Sequence, residues 1–288
     1  MSVPVAFDYH TANSVDEAIQ LLQQYGDDAK VLAGGHSLIP TMKLRLAQPE
    51  HLIDLGRIPN LSYIRQEGNT IAIGAMTTYT QAARSDLLRQ HFALLSDAAS
   101  VIGDQQVRNR GTIGGSIAHS DPAGDMPAII LALKAEIVAQ GANGKRTIPA
   151  DEFFVGTFET ALQQGEILTE IRLAIPPANT GTSYMKLENK ASHYAVTGCA
   201  AVLTMSGDGT CSAASVTITG AASKTTRASA VEAALVGKKI DEAVATEAAS
   251  HAAEGLDLIE DIHGSKAYRS QMTTVMAKRA SLEAASRA

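Results

Sequence analysis

Two glycine-rich stretches carry the residues whose types and spacing suit chemistry, and that chemistry is the binding of an anion. Arg108 to Pro127 reads RNRGTIGGSIAHSDPAGDMP, and Ala33-Gly34-Gly35-His36-Ser37 lies far upstream with similar residues. Gly111, Gly114 and Gly115 lack a Cβ, so their backbone can adopt positive φ and lie against a ligand. A turn of that kind aims several N–H groups at one point, and such a nest suits an anion. Hydroxyls of Thr112 and Ser116 add neutral donors that need no counter-charge. Asp125 and Pro127 lead into the apolar run AIILAL, with the proline suited to a first helical position. A glycine loop feeding a helix N-terminus is a natural seat for phosphate. Two such loops can grip the two phosphates of one dinucleotide from opposite sides. The plainer reading is a pair of structural turns, which need glycine just as much. Neither loop reads G-x-G-x-x-G and neither carries a P-loop lysine motif, so ordinary Rossmann and NTPase readings find no support.

Other chemistry is thinly represented. His119, Asp121 and Asp125 give H-x-D-x-x-x-D, which matches no strong zinc or calcium pattern, so they read as loop residues that shape a pocket. Arg108 and Arg110 can neutralise phosphate, dock a partner or form surface salt links. Nothing resembles a Ser-His-Asp or Cys-His nucleophile. Cys199 and Cys211 cannot supply the four thiolates of an iron–sulfur cluster, and they are too few for a secreted disulfide framework. They read as buried or half-buried thiols on neighbouring strands. A net charge of −6 argues against a nucleic-acid surface, and 4% aromatic residues without Trp argue against a base-stacking platform. Hydrophobic content of 45% and charged content of 19% over 288 residues describe a globular chain with a real core. The start MSVPVAFDYH has no signal-peptide pattern, and no apolar run is long enough to cross a membrane. The expected location is cytoplasmic.

The elements that must hold these residues follow from pattern. Ser14-Val15-Asp16-Glu17 is a capping box, Val15, Ala18, Ile19 and Leu22 mark one helical face, and Gly26 can end that helix. Lys30–Leu32 reads as the strand delivering the first glycine loop, Thr41–Leu46 as a short helix or turn, and His51–Leu55 as a returning strand. This is a β-α-β unit with parallel pairing. Two hairpins are expected, around Glu67-Gly68-Asn69 and around Gly141-Ala142-Asn143-Gly144. Between them lie a helix that a Thr78–Gln81 capping box starts and that runs through Leu88, an apolar segment Leu94–Ile102, and a helix from Pro127 to Lys134. Ile167–Ile175 is a strand stopped by Pro176-Pro177, and 176–181 is the best linker. Beyond it, Ser183–Leu187, Gly198–Met205 and Ser212–Thr219 read as antiparallel strands. Three helices follow, Ser229–Val236, Asp241–Ala253 and Ala267–Ala285.

AGGHSLIP with MKLRLA, and QVRNRGTIGGSIAHSDPAGDMPA, resemble the FAD-binding medium subunit of molybdenum hydroxylases, and more particularly its carbon monoxide dehydrogenase flavoprotein branch. The likeness runs to DIHGSKAYR near the C-terminus. Ser116, where family members often have asparagine, and AHSDPA incline the chain toward that branch. The resemblance implies an α+β chain. Residues 1–177 would form a two-subdomain FAD-binding fold of the vanillyl-alcohol-oxidase/PCMH type, with subdomains of about 1–57 and 58–177. Residues 178–288 would form a C-terminal domain with a three-stranded antiparallel sheet and a helical layer.

For the site, the resemblance implies FAD held by Leu32, Ala33, Gly34, Gly35, His36, Ser37 and Leu38 on one side. Gly111, Thr112, Ile113, Gly114, Gly115 and Ser116 would hold the other. Asp125 would bind the adenosine part, with a helix cap as its plainer role. Ile102, Leu168 and Lys186 would supply an apolar wall, a backbone contact and a lysine near the cofactor, although Lys186 reads equally as a solvated strand residue. Tyr194 would lie by the isoalloxazine ring and control access to N5, against a plainer role in packing. No catalytic residue and no metal ligand is expected in this chain. The implied partners are a [2Fe-2S] small subunit and a molybdenum-pterin large subunit, in a dimer of heterotrimers that can touch the inner face of the cell membrane. Electrons would pass to an external acceptor, a quinone or NAD. Carbon monoxide is the first choice of substrate, and a xanthine, aldehyde or N-heterocycle dehydrogenase the second. A stand-alone flavin oxidoreductase and a nucleotide-binding module without flavin are the readings outside this class.

Overall fold

The computed structural model describes residues 3–288. At the N-terminal end, β1 (Asp8–Thr11), α1 (Val15–Tyr25), β2 (Ala29–Leu32), α2 (Leu38–Lys43) and β3 (His51–Asp54) build a three-stranded sheet in the order β1-β3-β2. Both pairings are parallel. β1 is absent from the sequence reading because its side chains are all exposed or half-buried, leaving no apolar alternation to mark it. Ser14 caps α1, its Oγ accepting from the Glu17 N–H at 3.0 Å. Glu17 reaches one residue further back than a standard capping box, to the Asn13 N–H at 2.8 Å. Gly26 ends the helix with a φ of 56°, a value that glycine adopts without a Cβ clash.

The middle of the chain runs β4 (Ile64–Glu67), β5 (Thr70–Gly74), α3 (Tyr79–Arg84), α4 (Asp86–His91), α5 (Ala93–Val101), α6 (Gln105–Arg110), α7 (Ile113–His119) and α8 (Asp125–Ala132). It continues through β6 (Glu136–Gly141), β7 (Gly144–Pro149), α9 (Ala150–Phe153), β8 (Phe154–Gly156), β9 (Glu159–Thr160) and β10 (Ile167–Ala174). Its main sheet has the order β4-β5-β10-β6-β7, and both expected hairpins form. The single helix expected from Thr78 through Leu88 is two. Thr78 and Gln81 make a full capping box, but Ser85 is extended and caps α4 instead, accepting from the Leu88 N–H at 3.3 Å. α8 begins at Asp125, which makes Pro127 its third residue rather than its first. All eight of its residues are buried, as expected of a helix that is apolar all round.

The C-terminal sheet holds β11 (Thr180–Glu188), β12 (Ala195–Met205), β13 (Cys211–Thr219) and β14 (Thr226–Arg227), in that spatial order. It therefore has four strands where three were expected. β14 is two residues long, too short to show a period. It is placed by Arg227, which reaches Asp151 at 2.7 Å, Glu232 at 2.9 Å and the Leu131 carbonyl at 3.0 Å. The helical layer is α10 (Ser229–Leu235), α11 (Glu242–Ser250) and α12 (Lys266–Ser286). Cys199 and Cys211 are buried free thiols on the neighbouring strands β12 and β13. Alternate residues of β13 join this sheet to α8 and the turn before it. Ser215, Thr217 and Thr219 donate to the carbonyls of Ala132, Ala128 and Pro122 at 2.6, 2.8 and 2.8 Å. Their spacing of two puts all three hydroxyls on one face of the strand.

Candidate cofactor site

The first glycine loop leaves the end of β2 and enters α2 at Leu38. Gly35 has φ of 76°, the left-handed region that other residues enter at a cost. Its carbonyl accepts from the Ile39 N–H at 3.0 Å, and the Ser37 carbonyl accepts from the Thr41 N–H at 3.2 Å and the Thr41 hydroxyl at 2.6 Å. Among the described residues, no acceptor lies within reach of the N–H groups of Gly34, Gly35, His36, Ser37 and Leu38. The loop thus engages its carbonyls in the helix and leaves a run of donors without partners. A run of free donors of this kind suits an anion.

The second stretch is built differently. Asp104 caps α6, accepting from the Val107 N–H at 2.8 Å. After Gly111, Thr112 caps α7 and accepts from the Gly115 N–H at 3.1 Å. Gly114 and Gly115 therefore lie in a helix, and none of Gly111, Gly114 and Gly115 has positive φ. The expected nest is absent here. The N–H groups of Ile113 and Gly114 donate to the carbonyls of Thr77 and Ala75, both at 2.9 Å, and Ser116 donates to the Thr112 carbonyl at 3.1 Å. These glycines answer to packing. A Cβ at Gly111 would meet the Tyr79 ring at 2.7 Å, and one at Gly114 would meet the Ala75 carbonyl oxygen at 2.6 Å. Gly115 differs again, since its Cβ would point at the Thr112 hydroxyl at 2.7 Å and at Ala33 of the first loop at 3.5 Å.

The two stretches touch. A Cβ on Gly34 would run into the Arg110 carbonyl and Gly111. Together they border one cleft of about 670 Å³. Its walls include Ala33, Gly34, Gly35, His36, Ser37, Leu38, Ile102, Gly111, Thr112, Gly114, Gly115, Ser116, Asp125, Leu168 and Tyr194. Three expected residues stand outside it. Leu32 is the last residue of β2, Ile113 is fully buried in the core, and Lys186 sits behind Asp125. The cleft also takes in Tyr79, Met76, Phe158, Leu162 and Gln164, which the sequence did not single out. No local pattern marks them, because they come from turns, loops and element ends scattered along the chain. Tyr79 alone carried a signal, as the first residue after the Thr78 cap.

Asp125 is not a helix cap. Gly124 holds that position and no side chain caps α8. Asp125 instead accepts from the Tyr184 hydroxyl at 2.5 Å and from Lys186 Nζ at 2.7 Å, both on β11. The Lys186 side chain is 8% exposed, so the reading of a solvated strand lysine is corrected. Burial pushes the Asp125 carboxyl above its ordinary value, while Lys186 and Tyr184 oppose that shift. Burial, and then the Asp125 charge, push Tyr184 well above the ordinary tyrosine range. A lysine and a hydroxyl on one buried carboxylate is the arrangement that makes such a charge tolerable.

Tyr194 closes the other part of the cleft, beside Ser37 of the first loop. It is 41% exposed, so it is not a packing residue of the core. Burial, and then the nearby Asp121 carboxylate, raise its hydroxyl above the ordinary range. His119 lies against Phe158 with ring centroids 4.9 Å apart, and its Nε2 is 3.9 Å from Asp121. Burial holds the His119 imidazole below its usual range and lifts Asp121 above its own. Among the described residues no group of three His, Cys, Asp or Glu side chains is arranged to hold a metal ion, and no helix is long and apolar enough to cross a membrane.

Residues 5–177 match the family described as the FAD binding domain in molybdopterin dehydrogenase, and residues 182–284 match the CO dehydrogenase flavoprotein C-terminal domain. The chain is 46% identical over 278 residues to the carbon monoxide dehydrogenase medium chain of Hydrogenophaga pseudoflava, covering 96% of each chain. It is 38% identical to the 6-hydroxypseudooxynicotine dehydrogenase complex subunit alpha of Paenarthrobacter nicotinovorans, over 99% of this chain and 96% of that one. Among solved structures it matches carbon monoxide dehydrogenase from Hydrogenophaga pseudoflava with a TM-score of 0.96 and 48% identity, covering 99% of both chains. The cofactor is FAD, and the chain is an oxidoreductase subunit. With both domains matched and relatives aligned end to end, it belongs to the FAD-binding medium subunits of the molybdenum hydroxylases, on the carbon monoxide dehydrogenase flavoprotein side of that family.

Proposed function

We propose that this chain is the electron-transfer flavoprotein of a molybdenum hydroxylase complex. It would receive electrons from a [2Fe-2S] subunit and release them to an external acceptor, a quinone or NAD. Its partners would be that small subunit and a molybdenum-pterin large subunit, paired as a dimer of heterotrimers. Residues 1–177 would form the two-subdomain cofactor unit of the vanillyl-alcohol-oxidase/PCMH type, and 178–288 the domain that closes it. The observation that carries this reading is the run of unpartnered amides from Gly34 to Leu38, facing a cleft whose other border is the Gly111–Ser116 stretch.

The residues present fit FAD, and unevenly on the two sides. Gly34 to Leu38 offer backbone donors to the diphosphate. Thr112 and Ser116 offer hydroxyls, since the neighbouring amides of α7 already have acceptors. Gly115 leaves the gap toward Ala33 that a side chain would fill. Asp125 retains lone pairs for ribose hydroxyls beyond the bonds from Tyr184 and Lys186, and these two partners fix its orientation. Ile102 and Leu168 exclude water from the walls. Tyr194 covers the end nearest Ser37 and limits access there. When bound, the flavin accepts electrons singly and releases them as a pair, and the protein's part is to hold and shield it.

Carbon monoxide is the proposed substrate of the large subunit, following the identity to carbon monoxide dehydrogenase medium chains. The same role beside an N-heterocycle-oxidising large subunit is the second reading, because a 6-hydroxypseudooxynicotine dehydrogenase subunit matches over nearly the full chain. The test is purification of the native complex followed by anaerobic addition of substrate. Carbon monoxide should bleach the flavin in the complex and leave it untouched in the isolated chain. Bleaching of the isolated chain by substrate would instead identify a self-sufficient oxidoreductase. A complex whose companion chains hold no iron–sulfur centre would refute the relay.

A further inference from the structure

The segment DIHGSKAYR, Asp261 to Arg269, lies outside the cleft walls, yet it is tied to the turn that carries Tyr194. His263 stands on a tight turn closed by the Asp261 N–H donating to the Gly264 carbonyl at 3.2 Å. The Asp261 carboxylate accepts from the His263 N–H at 2.8 Å and from Arg269 Nη2 at 2.6 Å. Arg269 is itself buried. Its Nη1 donates to the carbonyls of Val196 and Gly220, both at 2.6 Å. Val196 is two residues beyond Tyr194 in β12, and Gly220 donates its N–H to Pro122, in the cleft-side turn before α8, at 2.7 Å. Ser265 then caps α12 by accepting from the Tyr268 N–H at 3.2 Å.

The turn before Tyr194 is organised by one side chain. Asn189 Oδ1 accepts from the N–H groups of Ala191 and Ser192 at 2.9 and 3.2 Å. Its backbone N–H donates to the Tyr194 carbonyl, and its carbonyl accepts from the His193 N–H, both at 2.8 Å. His193 has φ of 59°, so the turn sits in a conformation it would not adopt unaided. The remaining group, Asn189 Nδ2, reaches His263 Nδ1 at 2.9 Å. An amide nitrogen can only donate, so the ring nitrogen accepts.

We propose that His263 is a positioning residue for Tyr194. By accepting from Asn189 it fixes the Asn189–His193 turn, and through that turn the angle at which the tyrosine closes the cleft beside Ser37. The buried Arg269 holds both ends of this relay, the Asp261 turn and the start of β12. The inference rests on the placement of FAD in the cleft with Tyr194 beside it, and it adds how that placement is held. It also gives a task to a C-terminal motif that touches no wall of the site.

The experiment uses the purified complex and reads flavin fluorescence, which a nearby phenol quenches, together with FAD per chain and thermal stability. Tyr194→Ala should raise the fluorescence of bound FAD. His263→Ala should raise it in the same direction while keeping the full FAD complement and a near-normal melting temperature. The double variant should rise no further than Tyr194→Ala alone, because residues acting through one contact are not additive. His263→Asn, whose Oδ1 can take the place of Nδ1 as acceptor, should return fluorescence toward wild type. Wild-type fluorescence in His263→Ala, or full additivity in the double variant, would overturn the proposal. No response even to Tyr194→Ala in a fully loaded complex would overturn it too, while leaving FAD in the cleft. A wild-type complex without FAD would defeat the cleft reading itself.

Discussion

Ala33–Leu38 and Gly111–Ser116 each hold a pair of adjacent glycines followed within two residues by a serine, and they do opposite things with it. In the first, a single residue at positive φ turns the chain and leaves the amides from Gly34 to Leu38 without internal acceptors. In the second, a threonine cap starts a helix, its amides find acceptors at once, Gly114 lets that helix approach Ala75, and Gly111 just before it lies against Tyr79. A glycine pair by itself does not say which of these holds. What decides is whether a neighbouring segment, here the turn between β5 and α3, supplies carbonyls. Thr77 and Ala75 supply them to the second stretch, and nothing does so for the first. One side of the cleft therefore offers backbone donors, and the other offers hydroxyls and space.

This contrast can be broken by adding a Cβ at each glycine in turn. Gly114→Val should have the largest effect, a loss of folding stability of about 3 kcal/mol or more from overpacking against Ala75. Denaturation of the purified chain, or its failure to accumulate in soluble form, measures it. Equal stability to wild type would show that Gly114 faces the cofactor and not the strand. Gly34→Ala should act next, prying the two stretches apart where Gly34 meets Arg110. It should weaken FAD binding by roughly tenfold to a hundredfold, equivalent to about 1.4–2.8 kcal/mol, as read by flavin titration of the stripped protein. Unchanged affinity would mean that the contact between the stretches is dispensable.

Gly115→Ala separates packing from binding most cleanly. Higher helix propensity offsets its contact with the Thr112 hydroxyl, so stability should stay within about 1 kcal/mol of wild type. Its methyl occupies the gap toward Ala33, so FAD affinity should fall by about tenfold. A stability loss matching that of Gly114→Val would abolish the distinction between the two glycines. Gly35→Ala should be felt in stability alone, where left-handed φ costs about 1–2 kcal/mol and the nearest atom is the movable end of Ile39. A melting curve checks it. No loss at all would show that the loop can turn without a residue at positive φ.

Local chemistry was legible wherever a signal and its consequence lie within one turn of chain. Ser14 with Glu17 marked the start of α1, Thr78 with Gln81 that of α3, and the glycine turns placed both hairpins. The break at Ser85 was hidden, because the serine needed to cap α4 looks like any polar helix residue. β14 was hidden because two residues show no period, and its placement depends on the distant Asp151 and Leu131.

The amino-acid sequence by itself determined the family, the FAD cofactor, and the two stretches that border the cleft. These depend on residue type and order, which no folding step alters. Only the tertiary structure decided how each glycine acts, why Lys186 is buried on Asp125, and how a C-terminal histidine comes to brace Tyr194. Each of these depends on which carbonyl, carboxylate or ring a distant segment brings within about 3 Å, the reach of a hydrogen bond. For Lys186 that proximity exists only once the β11–β14 sheet has docked on α8.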